Sequence, residues 1–292
     1  MRPVLVGAVA AVVAGEVACR VGLGLGDPPL FVADQEIEYL PRPGVYRRFG
    51  HRVSYNAFHM RSAEVGERAQ EGERRVLVLG DSVPNGGAKL DDAELATALL
   101  EGRLGRRVLN VSCGSWGPAN LLAYVRRFGW FDAGVAVVVL NDADAWDVPT
   151  FGPLGGELPT RKPVSALWEA ATRYLPRVLG RGGTPAVELS PEDVEASLSA
   201  LRELVGLLRS EGVGVAFVLH AERAEVRGSA ARGTVLLRRT AQELEVPVVE
   251  TGPAMAGAGL DRVYDGRVHL TAEGQRVLAD VLAEAVERAG GR

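Results

Sequence analysis

Cysteine is almost absent: the 292 residues hold only Cys19 and Cys113. That excludes a disulfide-dense scaffold and a cysteine-based zinc site. Lysine is nearly missing too, with Lys89 and Lys162 alone among 33 basic residues, so arginine carries the positive charge, as coding bias would produce. Histidine occurs four times, with no HExxH arrangement and no carboxylate array, so neither a metal nor another cofactor is expected. There is no large excess of charge either. A net of −4 offers no broad phosphate-binding surface and hence no nucleic-acid partner. What is present is ordinary for a folded chain: 47% hydrophobic and 24% charged residues exclude global disorder. The length suits one large domain with an extension.

Part of the apolar excess sits at the very start. Arg2 is followed by thirteen uncharged residues, Pro3 to Gly15, then by Glu16 and Arg20, and then by a second apolar run, Val21–Gly26. Thirteen residues match a signal-peptide core better than a span of ~20, but counting through the two charges gives a long enough helix. Glu16 and Arg20 are four apart and share a helical face. A lipoprotein signal is excluded because Glu16 stands where an apolar residue is needed ahead of Cys19. Residues 1–26 therefore read as an uncleaved anchor, a cleaved signal, or a helix packed on the domain. The first two place the rest of the chain in the cell envelope, outside the cytoplasm.

Asp27-Pro28-Pro29 breaks any helix. Residues 27–72 read as an extension of short strands and turns. From residue 73 the pattern alternates. Val76–Leu79, Val108–Val111, Val135–Leu140, Val213–Leu219 and Val246–Val249 are strand candidates. Helical patterns separate them, one opening at Ser190-Pro191-Glu192-Asp193 and a last one capped by Thr271. The expected fold is a three-layer α/β/α sandwich on a five-stranded parallel sheet, spanning 73–292. Residues 143–189, rich in proline and glycine, fit no such unit and read as a long excursion over the edge where ligands bind.

Polar residues cluster at the ends of the apolar runs: Gly80-Asp81-Ser82, then Cys113-Gly114-Ser115-Trp116-Gly117, Asn141-Asp142, His220, and Asp265-Gly266-Arg267-Val268-His269. Gly80-Asp81-Ser82 lacks the glycine spacing and the lysine of a dinucleotide-binding turn or a P-loop. On these blocks, in this order, residues 74–290 resemble the SGNH (GDSL-type) hydrolase family. Asn56-Ala57-Phe58-His59-Met60-Arg61 also looks like an element of its exported members.

The resemblance implies a flavodoxin-like SGNH fold and an esterase or carbohydrate O-deacetylase. Ser82 would be the nucleophile, His269 the base and Asp265 the acid, with oxyanion donors from Ser82, Gly114 and Asn141. The substrate would be a small ester or an acylated carbohydrate. Trp116, Asp142, Trp146 and His220 are candidate substrate contacts, each with a plainer role in packing or local hydrogen bonding. The pattern departs from the family twice. Asp265 lies four residues before His269 rather than three, so either the loop is longer or a backbone group orients the imidazole. Val139 also stands where a glycine is usual. Two further functions remain open: an O-acyltransferase that acylates an envelope glycan, and a non-catalytic carbohydrate-binding relative.

Overall fold

The chain opens with a helix, α1 (Arg2–Val17), continued by a π-helical turn, Ala18–Gly22, in a computed structural model that describes residues 2–156, 158–175 and 190–290. The excursion expected at 143–189 therefore lies partly, at 157 and 176–189, outside the described residues. Two antiparallel hairpins follow: β1 (Phe31–Asp34) with β2 (Glu38–Pro41), and β3 (Gly44–Arg48) with β4 (His51–Tyr55). They form two separate sheets, divided by Pro41-Arg42-Pro43, whose prolines have no N–H to donate.

The unalternating apolar runs become β5 (Arg75–Gly80), β6 (Arg107–Ser112), β7 (Val135–Leu140), β8 (Gly214–Leu219) and β9 (Val248–Glu250). All are parallel, in the order β6-β5-β7-β8-β9. Both β5 and β7 are buried at every position, which is why their sequences do not alternate. The two faces feed different cores. Val76, Val78, Val137 and Val139 turn to the side covered by α3 (Ala96–Leu104) and the final helix Ala272–Gly290. Leu77, Leu79, Val138 and Leu140 turn to the other side, against α4 (Pro118–Phe128) and the helices Pro191–Ser210 and Arg232–Glu243. Val139 thus fills a core position, 1% exposed.

The expected start signals act as such. Ser190 Oγ accepts the N–H of Asp193 at 3.3 Å, and Thr271 Oγ1 that of Gly274 at 3.1 Å. Three short helices lie beyond the sequence expectations: Arg223–Arg227, Gly252–Ala258 and Leu260–Val263. So does a small hairpin, β10 (Tyr264–Asp265) with β11 (His269–Leu270).

Candidate active site

Strand β5 ends at Gly80 and the chain turns into α2 (Ser82–Asn85). Gly80 is required there: a Cβ would stand 2.6 Å from the Pro84 ring and 3.1 Å from the Val139 carbonyl. Asp81 caps α2, its Oδ1 accepting the Val83 N–H at 2.9 Å. That geometry presents Ser82 at the carboxyl edge of the sheet. His269 reaches it from β11, with Nε2 3.1 Å from Ser82 Oγ. Ser82 Oγ is also 3.3 Å from Asp81 Oδ2, so its single proton has two acceptors.

The β10–β11 hairpin is held from below. His220, 1% exposed, has Nε2 2.8 Å from the Val268 carbonyl and Nδ1 3.3 Å from Thr251 Oγ1. Burial drives its pKa down to about 4, so the ring is neutral. It donates to Val268, next to His269, and does not line the cavity; of the two roles open to it in the sequence, it takes the structural one. Tyr264 Oη donates to the Ala221 carbonyl at 2.6 Å, and Arg267 pairs with Glu222. Gln275 ties the opposite side, its Nε2 donating to the Val83 carbonyl at 2.9 Å and its Oε1 accepting the Ala96 N–H at 2.8 Å.

Asp265 does not meet the imidazole. Its backbone pairs with His269 in the ladder, but its carboxylate binds Lys89 Nζ at 2.6 Å. Among the described residues no carboxylate hydrogen-bonds to His269 Nδ1. The four-residue spacing has a local cause: Gly266, at φ 90°, Arg267 and Val268 form the loop of a hairpin that sets residues 265 and 269 opposite each other.

Asn141, directly after β7, is 6% exposed. Its Nδ2 donates to Asp81 Oδ2 at 2.8 Å and to Asp144 Oδ2 at 3.0 Å, and its backbone N–H donates to Asp144 Oδ2 at 2.6 Å. Both amide hydrogens are thus engaged by carboxylates rather than presented to an open site. Burial raises the pKa of Asp81 against the opposing Val83 N–H and His269 charge. Burial and the neighbouring Asp81 charge push Asp144 well up. Two carboxylates so close around one amide favour a retained proton.

Ser82 opens into a cavity of about 660 Å³ that also takes in Asn85, Lys89, Gly114, Ser115 and Asp147. A Cβ on Gly114 would meet nothing within 4 Å, so that residue faces open space, and Tyr39 Oη fixes its carbonyl at 2.6 Å. Leu154, Leu158, Phe31 and Phe49 make further walls apolar. The described part of the excursion contributes residues between Asp147 and Leu154, and Leu158, Pro159, Arg173 and Tyr174, to these walls. Asp147 is held by a tight approach to Gly117, where a Cβ would stand 2.4 Å from the Asp147 carbonyl oxygen. Burial, with the Asp81 and Glu38 charges nearby, pushes the Asp147 carboxyl up to about 7.

The other expected contacts lie elsewhere. Trp116 is 1% exposed, with Nε1 donating to the Tyr39 carbonyl at 3.2 Å, so it has no face for a sugar ring. Trp146 packs half-buried on the core beside Gly233. Asp142 Oδ1 accepts the Gly233 N–H at 2.7 Å, a tertiary bond to the start of the helix Arg232–Glu243 rather than a local one. Cys113 is buried filler whose thiol burial drives upward in pKa. His51 Nδ1 is 3.1 Å from Asp91 Oδ2, and Glu94 lies close by. Asp91 Oδ1 is already taken by the Arg52 N–H, which leaves the trio a surface hydrogen-bond cluster.

Sequence reasoning missed Asp144, Asp147, Lys89 and Gln275. Asp144 carried a signal, since an acid three residues after Asn141 matches the spacing of a reciprocal cap. The Asn56–Arg61 segment does reach the site. Asn56 Oδ1 accepts the N–H groups of Phe58 and Met60, both at 3.0 Å. Arg61, 3% exposed, binds the carbonyls of Asn85, Gly87 and Leu90, and Asp92 at 3.1 Å.

No family model and no curated protein match the chain. Among solved structures it is similar to an acetyl xylan esterase, with 13% identity, a TM-score of 0.49, and coverage of 73% of this chain and 99% of that one. It is also similar to the psychrotrophic esterase EstA of Pseudoalteromonas sp., with 13% identity, a TM-score of 0.47, and coverage of 75% and 100%. A GDSL-like lipase of Bacteroides thetaiotaomicron gives 13% identity, a TM-score of 0.46, and coverage of 76% and 92%.

Proposed function

We propose that the chain is an SGNH-type serine ester hydrolase that works through an acyl-enzyme on Ser82. The observation that carries this reading is the 3.1 Å contact between Ser82 Oγ and His269 Nε2 at the carboxyl edge of the sheet, beside the cavity. With Nε2 accepting, the neutral imidazole carries its proton on Nδ1. Ser82 Oγ attacks the ester carbonyl and its proton passes to Nε2. The oxyanion takes the N–H groups of Ser82 and Gly114. Asn141 joins when one of its hydrogens leaves Asp81, a transfer favoured when the buried Asp81 carboxyl is protonated.

His269 then gives its proton to the leaving alkoxide, which departs as the alcohol while the acyl group stays on Oγ. Water attacks the acyl carbonyl and yields a proton to Nε2. Collapse releases the carboxylic acid, and Ser82 Oγ regains the proton. The cavity suits a small ester or an acylated carbohydrate.

In this reading residues 1–26 are an anchor, 27–72 an extension that builds one cavity wall, and 73–292 the catalytic domain, outside the cytoplasm. Among the described residues one helix, Val4–Gly22, is long and apolar enough to cross a membrane, with mean hydropathy 2.0, and supports single-span attachment. A fluorophosphonate probe tests the chemistry: it labels Ser82 in the folded chain, and Ser82→Ala abolishes both labelling and p-nitrophenyl acetate turnover. A folded chain that takes no label sinks the proposal.

A further inference from the structure

The N-terminal apolar rod is almost bare along its length, with 6% of its apolar window buried, but its foot is docked. Glu16 Oε1 accepts the N–H of Ala166 at 3.0 Å and Oε2 that of Leu167 at 2.9 Å. These are first-turn N–H groups of a short helix in the excursion, α5 (Ala166–Glu169), which have no partner within the helix. Arg20 Nε donates to the same carboxylate at 2.7 Å. Cys19, Leu25 and Ala166 are buried together, with Leu167, Ala170 and Tyr174 packed on them.

From that foot the contacts run inward. Glu169 accepts the Gly26 N–H at 2.8 Å and takes Arg48 at 2.6 and 2.9 Å, and Arg48 also bonds Tyr174 Oη. Arg48 and Tyr174 line the cavity into which Ser82 opens. The pair of charges that looks out of place in a membrane segment is therefore a clamp, joining the rod to the cavity wall.

Length then sets the depth. The uncharged stretch Pro3–Gly15 rises only about 20 Å as a helix, against a hydrocarbon core of about 30 Å. With Glu16 at the hydrocarbon edge, either the bilayer thins or the foot of the domain sinks into it. The foot is apolar enough to sink. Val21, Leu23, Val164, Trp168 and Leu175 are exposed by 82%, 57%, 93%, 61% and 52%, on the two segments that Glu16 joins. An exposed tryptophan suits the headgroup layer, and Arg161, just ahead of Val164, suits anionic headgroups, while Lys162 beside it pairs with Asp27 at 2.6 Å.

We propose that Val4–Gly22 is retained as a membrane helix and that the collar at 161–175 lies in the interfacial layer of the bilayer, against the lipid rather than a second protein. The proposal rests on the single-span reading above. It makes the helix a structural member of the cavity wall and sets the cavity beside the membrane surface.

The test uses the full chain in phosphatidylcholine–phosphatidylglycerol vesicles, with doxyl groups at shallow or deep acyl positions. Shallow doxyl lipid quenches tryptophan emission, and Trp168→Phe removes most of the quenchable part. A chain that floats with the vesicles but shows the same quenching in Trp168→Phe overturns the proposal and leaves the span intact. A chain that carbonate washes off the vesicles overturns both.

A second arm removes the clamp. Glu16→Ala stays with the vesicles, while tryptic cleavage within 161–173 rises about fivefold as α5 opens. Unchanged cleavage overturns the structural role of the helix. Neither readout depends on ester hydrolysis, so loss of the catalytic reading would leave this result standing.

Discussion

Asp265 faces His269 directly across the β10–β11 ladder, yet its carboxylate closes on Lys89 Nζ at 2.6 Å and leaves the imidazole alone. Residues opposite each other in an antiparallel pair share a face, so the acid is within a side-chain rotation of Nδ1. Lys89 is 68% exposed in its side chain, and such an ion pair holds only weakly. The hairpin and the buried His220 beneath Val268 hold the backbone next to the imidazole instead.

This arrangement predicts an unequal mutant series. His269→Ala lowers kcat/KM for p-nitrophenyl acetate by about 10³-fold or more, while Asp265→Asn costs less than about tenfold. Lys89→Met frees Asp265 to turn to Nδ1, and in that background Asp265→Asn costs roughly tenfold more than it does alone. A double-mutant cycle measures the coupling. Additive effects, or an Asp265→Asn defect as large as that of His269→Ala, would place the acid on the histidine from the start.

Much of this site was legible because two of its residues fall where uninterrupted apolar runs stop. Ser82 and Asn141 each come just after a strand of the parallel sheet, whose chemistry collects at those ends, whereas His269 stands in a small hairpin that no apolar run announces. Burial was not legible, because it depends on partners far along the chain. Trp116 is hidden by a hairpin residue, Tyr39, and His220 by the loop that ends at Val268. The role of Lys89 was equally hidden, since nothing in a lone lysine reveals an ion pair with Asp265. The two faces of the sheet were only half legible: a fully buried strand shows no alternation, so the sequence does not tell which valine meets which helix.

Asp147 predicts a pH-dependent stability. Its carboxyl sits at about 7 in the fold, above its ordinary value, so the folded chain holds a proton that the unfolded chain releases. Its contribution is therefore present in acid and falls away as pH rises from about 4 to about 7. Asp147→Asn, which removes the charge and keeps the shape, should leave stability at pH 4 nearly unchanged and raise it by up to about 4 kcal/mol at pH 8. Urea unfolding at the two pH values measures this, and an equal shift at both would show that the carboxyl is not the cause.

His220 gives the opposite slope. A histidine held at about 4 binds its proton less readily folded than unfolded, where the value is near 6.5. Its neutral form contributes above pH 6.5, and that contribution is lost as pH falls toward 4, up to about 3 kcal/mol. His220→Gln should flatten the loss of stability between pH 6.5 and 4 relative to wild type. Because His220 carries the Val268 carbonyl, the same variant should slow fluorophosphonate labelling of Ser82 at pH 7.5 by several-fold.

Arg61 is the strongest single test of how the extension supports the site. Arg61 is 3% exposed, and its guanidinium satisfies the carbonyl of Asn85 at the end of α2 and those of Gly87 and Leu90 beyond it, and pairs with Asp92. Arg61→Met leaves those acceptors buried and unpaired, a loss of about 3–5 kcal/mol in the urea unfolding free energy. Arg61→Lys keeps the charge without the planar fork, so it should recover about half of that loss. The turn after Ser82 is what the fork binds. Labelling of the folded Arg61→Lys chain should therefore slow even at low urea, where global unfolding is negligible. Full-rate labelling in that variant would separate the extension from the positioning of Ser82 and leave it a purely stabilising layer.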